Sequence, residues 1–495
     1  MIRKITFLFV AILVFVSANF GVTRSFAKAD LTAFDEIDAY ITTKMEELDI
    51  PGAAFVIVQG DQIVHMKGFG VADAAGRPVT PQTPFFTGST GKSFTALAVM
   101  QLVEAGKVEL DAPVRSYLPW FRVADVKASE GITVRQLLNM TSGIPKSIGQ
   151  EQLANIDLSD SAIENNVRAL VEVELIAPPG ERFEYSNANY VTLGMVIQAV
   201  TGQSYEAYIQ EHIFKPLDMQ NSFTSKTEAQ QDGLAVGYQK WFGIPVASPN
   251  LPFSRGSLPA GQLIMSVEDF GHYLIAQLNN GNFQDASLLS PVGIAEMHQP
   301  PVTTSYAMGW EAQHFQNVQV LAHDGALPGY TAAMFLVPEK NLAIAMVMNT
   351  YNPMLGLRIS RLSSNILRMV LGQATVQLNE ILFRQIVYVL VMLIPLLHIL
   401  AVVMTVRRVC SWRSGGTLSP QTQIARYVAL PFIWNAAIAY VLLVTLPKAF
   451  EVDIPAMLLL QPDVSWVAVI SGVFAIVWGL LRTSLFMRSQ PDSSL

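Results

Sequence analysis

The sequence predicts an α+β domain built around one antiparallel sheet and followed by three membrane-spanning helices. Two predicted hairpins lie near the two ends of the domain, at residues 52–70 and 331–350, and mostly helical sequence separates them. Three long apolar runs occupy the last fifth of the chain. Hairpins at both ends of a domain pair most simply in a single sheet, flanked by the intervening helices and a mostly helical subdomain.

Composition indicates a part embedded in lipid and argues against nucleic acid as a partner. Of the 495 residues, 51% are hydrophobic and only 14% are charged, whereas about 25% are charged in soluble globular proteins. Between Lys28 and Thr375, 34 acidic residues outnumber 21 basic ones. Nucleic-acid-binding proteins carry basic patches, which this acidic domain lacks by composition. The single cysteine, Cys410, permits neither an intramolecular disulfide nor a cysteine-rich metal cluster.

The first 27 residues predict a signal peptide or an uncleaved anchor. Arg3 and Lys4 form a charged region ahead of an apolar stretch. Ser25 and Ala27 then supply small side chains at the −3 and −1 positions of a cleavage site. The apolar stretch is somewhat long for a signal peptide, which keeps the anchor open as an alternative. In both cases the residues that follow are exported.

The apolar runs at 385–406, 427–446 and 464–481 are predicted to be transmembrane helices, because a helix of about 20 apolar residues spans the bilayer core. A buried soluble helix could imitate one such run but hardly three. The loop after the first run is rich in arginine, whereas the loop after the second has one lysine and three acids. By the positive-inside rule, we expect a multi-pass protein of the cell membrane. Residues 28–375 would form an extracytoplasmic domain and residues 376–495 a membrane domain.

The triplet Gly91-Lys92-Ser93 poses the question of a nucleotide site. A phosphate-binding loop of the form G-x-x-x-x-G-K-[ST] needs glycine where this chain has Phe86, and nucleotide is scarce outside the membrane. No nucleotide partner is therefore expected. The same stretch holds the pattern S-x-x-K, Ser89 to Lys92, at the start of an apolar helix. Residues three apart face the same way on a helix, and a buried lysine that loses its proton can act as a base for serine.

Two further patterns add side chains that could converge on Ser89. Tyr185-Ser186-Asn187 would place a phenol and an amide on one side of a pocket, and His323-Asp324-Gly325 precedes the second hairpin. Glycine within a strand lets another backbone approach closely. Taken singly, Tyr185 is more simply explained as a half-buried aromatic residue and His323 as a hydrogen-bonded surface imidazole.

In this order, S-x-x-K, Y-x-N and H-x-G resemble the motifs of the serine β-lactamase and penicillin-binding protein superfamily. The likeness is greatest to the class C β-lactamase-like branch, which includes esterases and D-amino-acid peptidases. It extends over roughly residues 32–370 and includes the stretches ITVRQLLNMTSGIP, PPGERFEYSNANYVTLGM and HDGALPGY. The resemblance implies that family's α/β-sandwich fold, and the membrane region lies outside it.

The resemblance also implies roles for individual residues. Ser89 would be the nucleophile that forms an acyl-enzyme, and Lys92 and Tyr185 would share the proton transfers, either of them being the base. The backbone N–H groups of Ser89 and Ala326 would form the oxyanion hole. Neither a metal nor an organic cofactor is implied.

The substrate-binding residues implied by the resemblance are Asn187, His323 and Gly325, and here the chain departs from the family pattern. β-Lactamases and DD-peptidases usually carry Lys-Thr-Gly or Lys-Ser-Gly at the third motif, where the cation binds a substrate carboxylate. His323 replaces that lysine and Asp324 the hydroxyl residue. A neutral imidazole does not attract a substrate carboxylate, and an ionised acid repels it. We therefore expect weak hydrolysis of β-lactams and of peptides with a free C-terminal D-alanine.

The leading interpretation is an exported, membrane-tethered serine hydrolase that acts on a small ester, amide or D-amino-acid peptide, with membrane lipid as its other partner. Cell-envelope material is a candidate substrate on location alone. The alternatives are a penicillin-binding DD-peptidase or β-lactamase, a non-catalytic sensor that signals through the spans, and a helper subunit of a membrane complex. The complete set of three motifs favours catalysis.

Overall fold

The structure is a computed structural model that describes residues 31–351, 353, 356–377, 381–412, 420–449 and 453–488. The predicted signal peptide or anchor, residues 1–27, lies outside the described residues. All three predicted spans lie within them.

Fourteen strands are present in the described part of the chain, and seven of them form the central sheet. They are β1 (Gly52–Gln59), β2 (Gln62–Gly70), β3 (Phe85–Phe86), β4 (Tyr238–Trp241), β5 (Ile244–Ala247), β6 (Ile264–Met265), β7 (Asn282–Phe283), β8 (Ala286–Ser287), β9 (Tyr306–Ala307), β10 (Trp310–Phe315), β11 (Val318–Leu327), β12 (Tyr330–Val337), β13 (Leu342–Met348) and β14 (Thr350–Tyr351). The sheet has the order β2-β1-β13-β12-β11-β10-β9, and all of its strand pairs are antiparallel.

The sheet joins the two ends of the domain through the pairing of β1 with β13. Ala53 lies opposite Met348 at one end of this pair, and Gln59 lies opposite Leu342 at the other. Both predicted hairpins are present, as β1–β2 and β12–β13. Their turns contain Gly60 with φ +65° and Asn341 with φ +52°, a backbone region that glycine and asparagine tolerate better than most residues. The predicted single antiparallel sheet is therefore confirmed.

Helices cover both faces of the sheet and form a separate helical subdomain. They are α1 (Leu31–Leu48), α2 (Gly91–Glu104), α3 (Val126–Gly131), α4 (Val134–Leu138), α5 (Lys146–Ala154), α6 (Ala162–Arg168), α7 (Asn187–Thr201), α8 (Tyr205–Ile209), α9 (Lys226–Gln231), α10 (Leu258–Gly261), α11 (Val267–Leu278), α12 (Pro291–His298), α13 (Gly356–Val370), α14 (Ile381–Trp412), α15 (Pro420–Ile424), α16 (Leu430–Tyr440), α17 (Leu446–Ala449), α18 (Ile454–Leu460) and α19 (Pro462–Arg488).

The core consists of two layers because the central strands are buried on both faces. All eight residues of β12 and all seven of β13 are buried. On one face, Ile41 of α1 packs in the same cluster as Phe55 of β1. On the other, Phe94 of α2 and Phe270 of α11 pack in the same cluster as Val56. Burying one such aromatic or branched side chain contributes about 1.5–3 kcal/mol, so the sheet is held between both helical layers.

Three helices are long and apolar enough to cross a membrane. They are Tyr388–Arg408, Ala425–Ala449 and Pro462–Phe486, with mean hydropathies of 2.7, 1.9 and 2.2. Turns of π-helix at Ala425–Ala429 and Val441–Thr445 join α15, α16 and α17 into one continuous second span. All three overlap the runs expected from the sequence.

The membrane helices dock onto the domain through the β4–β5 hairpin. Gln239 of β4 donates a side-chain hydrogen bond of 2.6 Å to the Leu459 carbonyl oxygen of α18. The Phe242 N–H, in the hairpin turn, donates to the Asp463 carboxylate at the start of α19 over 2.8 Å. The Phe242 ring also lies 6.0 Å from the Tyr388 ring of the first span. These contacts place the first residues of the first and third spans beside the domain.

Candidate active site

Ser89 lies in a single 3-10 turn, Gly88–Thr90, that leads directly into α2. The turn is held from both sides, because the Thr87 hydroxyl donates to the Leu263 carbonyl oxygen over 2.9 Å and the Thr90 hydroxyl donates to the Thr87 carbonyl oxygen over 2.9 Å. Ser89 itself is half-buried. At a helix N-terminus the first backbone N–H groups lack intrahelical acceptors, so the Ser89 side chain lies where negative charge is stabilised.

Lys92 is fully buried beneath Ser89, as the S-x-x-K spacing predicts. Its Nζ lies 3.0 Å from Ser89 Oγ and donates to Asn187 Oδ1 over 2.8 Å and to the Ala260 carbonyl oxygen. No carboxylate is among these partners. Burial therefore holds the pKa of the Lys92 amine well below its ordinary value of 10.5.

Tyr185 precedes α7 by two residues and lies near Ser89, and Asn187 begins α7 and contacts Lys92. The Tyr185 hydroxyl lies close enough to the Ser89 side chain for this neighbour to offset part of the effect of burial on the phenol pKa, and the centroid of the Tyr185 ring lies 5.0 Å from Lys92 Nζ. Burial raises the pKa of the Tyr185 phenol well above its usual range, so the phenol keeps its proton. Asn187 is the first residue of α7, and its amide nitrogen donates to the Gly149 carbonyl oxygen over 3.3 Å. That bond directs the amide oxygen to Lys92.

The edge of β11 supplies a backbone N–H next to Ser89. Leu327 and Tyr330 flank the two-residue turn between β11 and β12, so they form the hydrogen-bonded pair nearest the turn, and Ala326 belongs to the next, non-hydrogen-bonded pair. The Ala326 N–H therefore points away from β12. The Ala326 nitrogen lies beside the Ser89 turn, because a Cβ on Gly88 would lie 2.5 Å from it.

Gly325 permits this close approach. A Cβ built on Gly325 would lie 1.9 Å from the Thr87 carbonyl oxygen and 3.2 Å from Ser89 N. Only a residue without a side chain fits between β11 and the Ser89 turn. The structure thus brings Ser89, Gly325 and Ala326 into backbone contact range.

His323 is buried behind Tyr185 and is neutral. The Tyr306 hydroxyl lies 3.0 Å from His323 Nε2, and His323 Nδ1 lies 2.7 Å from the Asp324 carbonyl oxygen. A carbonyl only accepts, so Nδ1 carries the proton and Nε2 accepts from Tyr306. Burial, with a further contribution from Lys92, lowers the pKa of His323 to about 3. No cation is therefore available at the position where the family pattern has lysine.

Asp324 points to the other face of the sheet. Its carboxylate accepts a hydrogen bond of 2.7 Å from the Ser360 hydroxyl of α13, since successive residues of a strand face opposite sides. Asp324 nevertheless borders the same cavity as Ser89, so the expected repulsion between its carboxylate and a substrate carboxylate remains.

A cavity of about 760 Å³ opens over the convergent residues. Of the residues predicted for the site, its lining includes Ser89, Tyr185, Asn187, Gly325 and Ala326. Lys92 does not line the cavity and is buried beneath Ser89. His323 instead borders a neighbouring cavity of about 440 Å³, so the structure brings together every predicted site residue except that one. In the described part of the chain, no group of three or more His, Cys, Asp or Glu side chains could hold a metal ion.

Sequence reasoning missed three contributors to the site. Tyr306 hydrogen-bonds to His323 Nε2, the Ala260 carbonyl oxygen binds Lys92, and Gln150 borders the cavity. A repeated spacing or motif marks none of them in the sequence.

Comparison with known proteins agrees with this geometry. Residues 37–362 match the family model named Beta-lactamase. The chain belongs to the Beta-lactamase family. Its membrane helices lie outside the matched residues, and the fold expected from the sequence, with its antiparallel sheet and helical layers, is confirmed.

Relatives of known name cover the domain but not the whole chain. Protein flp of Staphylococcus aureus (strain MW2) is 32% identical over 316 residues, 63% of this chain and 62% of that protein. Unguisins hydrolase ungD' of Aspergillus campestris (strain IBT 28561) is 28% identical over 330 residues, 62% of this chain and 60% of that protein. The match thus spans about six tenths of the length of these curated relatives.

Two solved structures share the fold. The octameric penicillin-binding protein homologue from Pyrococcus abyssi is 31% identical, with a TM-score of 0.60 over 69% of this chain and 78% of its own. A crystal structure of SurE has a TM-score of 0.59 over 70% of this chain and 78% of its own, at 24% identity. This chain is accordingly a serine-hydrolase-like protein of the Beta-lactamase family with three candidate membrane helices.

Proposed function

We propose that this protein is a membrane-tethered serine hydrolase that cleaves esters or amides through an acyl-enzyme on Ser89. The observation that carries the proposal is the buried Lys92, whose Nζ lies 3.0 Å from Ser89 Oγ. A structural ion pair would explain a buried lysine differently, but the hydrogen-bond partners of Lys92 are a hydroxyl, an amide oxygen and a carbonyl oxygen. All three are neutral.

The hydrogen bonds of Lys92 support its role as the general base. A neutral amine has two N–H groups and one lone pair. Asn187 Oδ1 and the Ala260 carbonyl oxygen can only accept, so they take both N–H groups. In the neutral amine the lone pair would then face Ser89 Oγ and accept the serine O–H. Of the two bases that the family resemblance leaves open, this geometry favours Lys92 over Tyr185.

Acylation then follows with every proton accounted for. Lys92 takes the Ser89 proton while Ser89 Oγ attacks the substrate carbonyl carbon. The N–H groups of Ser89 and Ala326 hold the resulting oxyanion, a contribution worth about 3–4 kcal/mol per donor. Tyr185 gives its proton to the leaving group and regains one from the Lys92 ammonium. Water then attacks the acyl-enzyme, with Lys92 again as the base, and Ser89 is restored.

The residues of the third motif support a substrate without a free carboxylate next to the reacting bond. Lys146 also borders the cavity over Ser89, but it belongs to α5 and not to this motif. His323 is neutral because burial lowers its pKa to about 3, and its ring is engaged by Tyr306. We therefore propose that esters and amides are preferred to β-lactams and to peptides ending in D-alanine. Placement of the domain on the extracytoplasmic side belongs to the same proposal. It is supported by the signal-like N-terminus and by the arginine-rich loop after the first span.

Covalent labelling of the full chain in phospholipid nanodiscs tests this function. A fluorophosphonate probe and a fluorescent penicillin are offered in parallel to the wild type, to Ser89→Ala and to Ser116→Ala, which changes an exposed serine. We expect fast fluorophosphonate labelling of the wild type and of Ser116→Ala, none of Ser89→Ala, and little penicillin uptake. Strong, slowly released penicillin labelling would instead support a penicillin-binding protein. A folded protein that neither probe labels would contradict catalysis.

A further inference from the structure

The cavity over Ser89 is walled in part by the membrane helices. Each of the three spans contributes side chains to its lining, and most of these are aliphatic, with Ser465 of the third span as the polar one. The larger aliphatic residues are Val391 and Ile394 of the first span, Leu442 and Leu446 of the second, and Val464 and Val467 of the third. A domain that is merely anchored would need one span, and none of its helices would have to reach the active site.

All six residues lie at the end of the spans that faces the domain. Ile394 is six residues from the start of the first span, Leu442 seven from the end of the second, and Val467 five from the start of the third. At 1.5 Å per helical residue, the cavity reaches roughly 10 Å into the membrane helices. That depth corresponds to the outer third of a hydrocarbon core about 30 Å thick.

The β4–β5 hairpin places the domain at the same level. Its exposed side chains are apolar, with Phe242, Ile244 and Val246 being 43%, 67% and 42% exposed. The Phe242 N–H is bonded to Asp463, the second residue of the third span. Exposed apolar side chains beside the start of a membrane helix are typical of a surface that rests on lipid.

The cavity is therefore polar at one end and apolar at the other. The polar end holds the reacting Ser89 with Lys146, Gln150, Tyr185, Asn187 and Asp324 around it, whereas the far end consists mainly of aliphatic side chains from all three spans. A ligand that fills about 760 Å³ of such a cavity needs a carbonyl group at one end and a hydrocarbon chain at the other. A short, polar ester would leave the apolar part unoccupied.

We propose that the substrate is an amphipathic ester or amide whose long hydrocarbon chain lies between the three spans while its carbonyl carbon meets Ser89. The proposal rests on the serine hydrolase function proposed above and names its substrate class. It also gives the three spans a role, since together they form the chain-binding part of the site. The carbonyl meets Ser89 at the membrane surface, where an amphiphile can arrive from the bilayer or from water.

Hydrolysis of esters of different chain length by the full chain in nanodiscs tests the proposal. The substrates are p-nitrophenyl butyrate and p-nitrophenyl laurate, and the quantity compared is the ratio of their kcat/KM values, laurate over butyrate. Val467→Trp fills the chain-binding part, and Val473→Trp is its matched control, because Val473 lies on the same helix and is 49% exposed. We expect Val467→Trp to lower the ratio at least tenfold and Val473→Trp to change it less than twofold. Ile394→Trp, on another span, repeats the test if Val467→Trp does not fold.

A second measurement does not require turnover. Ser89→Ala in nanodiscs is irradiated with a diazirine-bearing phosphatidylcholine in the bilayer or a diazirine-bearing fatty acid methyl ester added from water, and the cross-linked peptides are mapped. We expect adducts on the residues that line the apolar part, reduced at least fivefold by Val467→Trp, and the more effective probe shows whether bilayer lipid or an aqueous amphiphile enters.

The outcomes separate the two proposals. Ser89-dependent hydrolysis with an unchanged laurate-to-butyrate ratio in both Val467→Trp and Ile394→Trp would overturn the chain-binding site and leave the hydrolase intact. Cross-links confined to the outward faces of the spans would overturn it as well. Mapped adducts in the apolar part, without any Ser89-dependent hydrolysis, would instead support the chain-binding site and contradict the hydrolase.

Discussion

Replacing Gly325 by alanine is expected to remove most of the hydrolytic activity, because a methyl group at this position separates the two halves of the oxyanion hole. The added Cβ would lie 1.9 Å from the Thr87 carbonyl oxygen, whereas real Cβ contacts essentially never fall below 3.0 Å. The strand and the Ser89 turn must therefore move apart by about 1 Å. Both N–H groups that hold the oxyanion depend on this spacing, since one belongs to Ser89 and the other to Ala326.

The size of the effect follows from that displacement. A misplacement of about 1 Å at a reacting centre costs on the order of 10²-fold in rate, and the loss of one oxyanion donor costs about 10²–10³-fold. We expect kcat/KM for p-nitrophenyl butyrate to fall by about 10²–10³-fold. Overpacking should also lower the free energy of unfolding by about 1–3 kcal/mol, which thermal unfolding in nanodiscs would report separately.

Gly131→Ala is the matched control for this experiment. Gly131 ends α3, an added Cβ there meets nothing within 4 Å, and its φ is not in the left-handed region. Its kcat/KM should equal that of the wild type. A folded Gly325→Ala variant whose kcat/KM stays within threefold of the wild type would refute the placement of the oxyanion hole between Ser89 and Ala326.

Three further changes test the remaining parts of the site and fold. Lys92→Met should lower kcat/KM by about 10²–10⁴-fold. Lys92→Arg should be equally impaired, because a guanidinium keeps its proton. Full activity of either variant would rule out Lys92 as the general base. Since burial lowers the pKa of Lys92 below 10.5, kcat/KM of the wild type should rise with pH and level off below pH 10.5, and a midpoint at or above that value would contradict the neutral amine. Tyr185→Phe should slow the cleavage of amides far more than that of p-nitrophenyl esters, whose leaving group needs no proton; equal losses would exclude Tyr185 as the proton donor. Burial raises the pKa of Asp269 from 3.8 to about 6. The folded protein therefore favours the protonated carboxyl, and this contribution to the free energy of unfolding is lost as the pH rises through 6. The free energy of unfolding of the wild type, relative to that of Asp269→Asn, should be greater at pH 5 than at pH 7. The exposed change Asp61→Asn should show no such trend, and a trend shared by both variants would remove Asp269 as the cause.

The parts of the fold that were predictable depend on local chemistry. Turn residues that accept a positive φ, Gly60 and Asn341, mark the two hairpins, and the three-residue spacing of Ser89 and Lys92 is fixed by helical geometry. The alternation of side chains along a strand could also have placed Asp324 on the face opposite His323. That signal was present in the sequence.

The parts that were not predictable depend on distant segments that meet only in the folded chain. The acceptor that fixes the proton arrangement of Lys92 is the carbonyl oxygen of Ala260, 168 residues away along the chain. Every residue has a backbone carbonyl group, so the sequence does not show which one will bind Lys92. The apolar end of the cavity likewise requires three spans to dock beside Ser89. Hydropathy predicts that the spans exist, but it does not predict where they pack against the domain.

Direct detection of the acyl-enzyme tests the central claim most directly. The full chain in nanodiscs is mixed with p-nitrophenyl laurate, quenched with acid within one turnover and digested, and the peptides are mapped by mass. We expect a lauroyl adduct on Ser89 that appears with the burst of p-nitrophenol and decays in step with turnover. Hydrolysis without any adduct, or an adduct on another residue, would contradict covalent catalysis by Ser89.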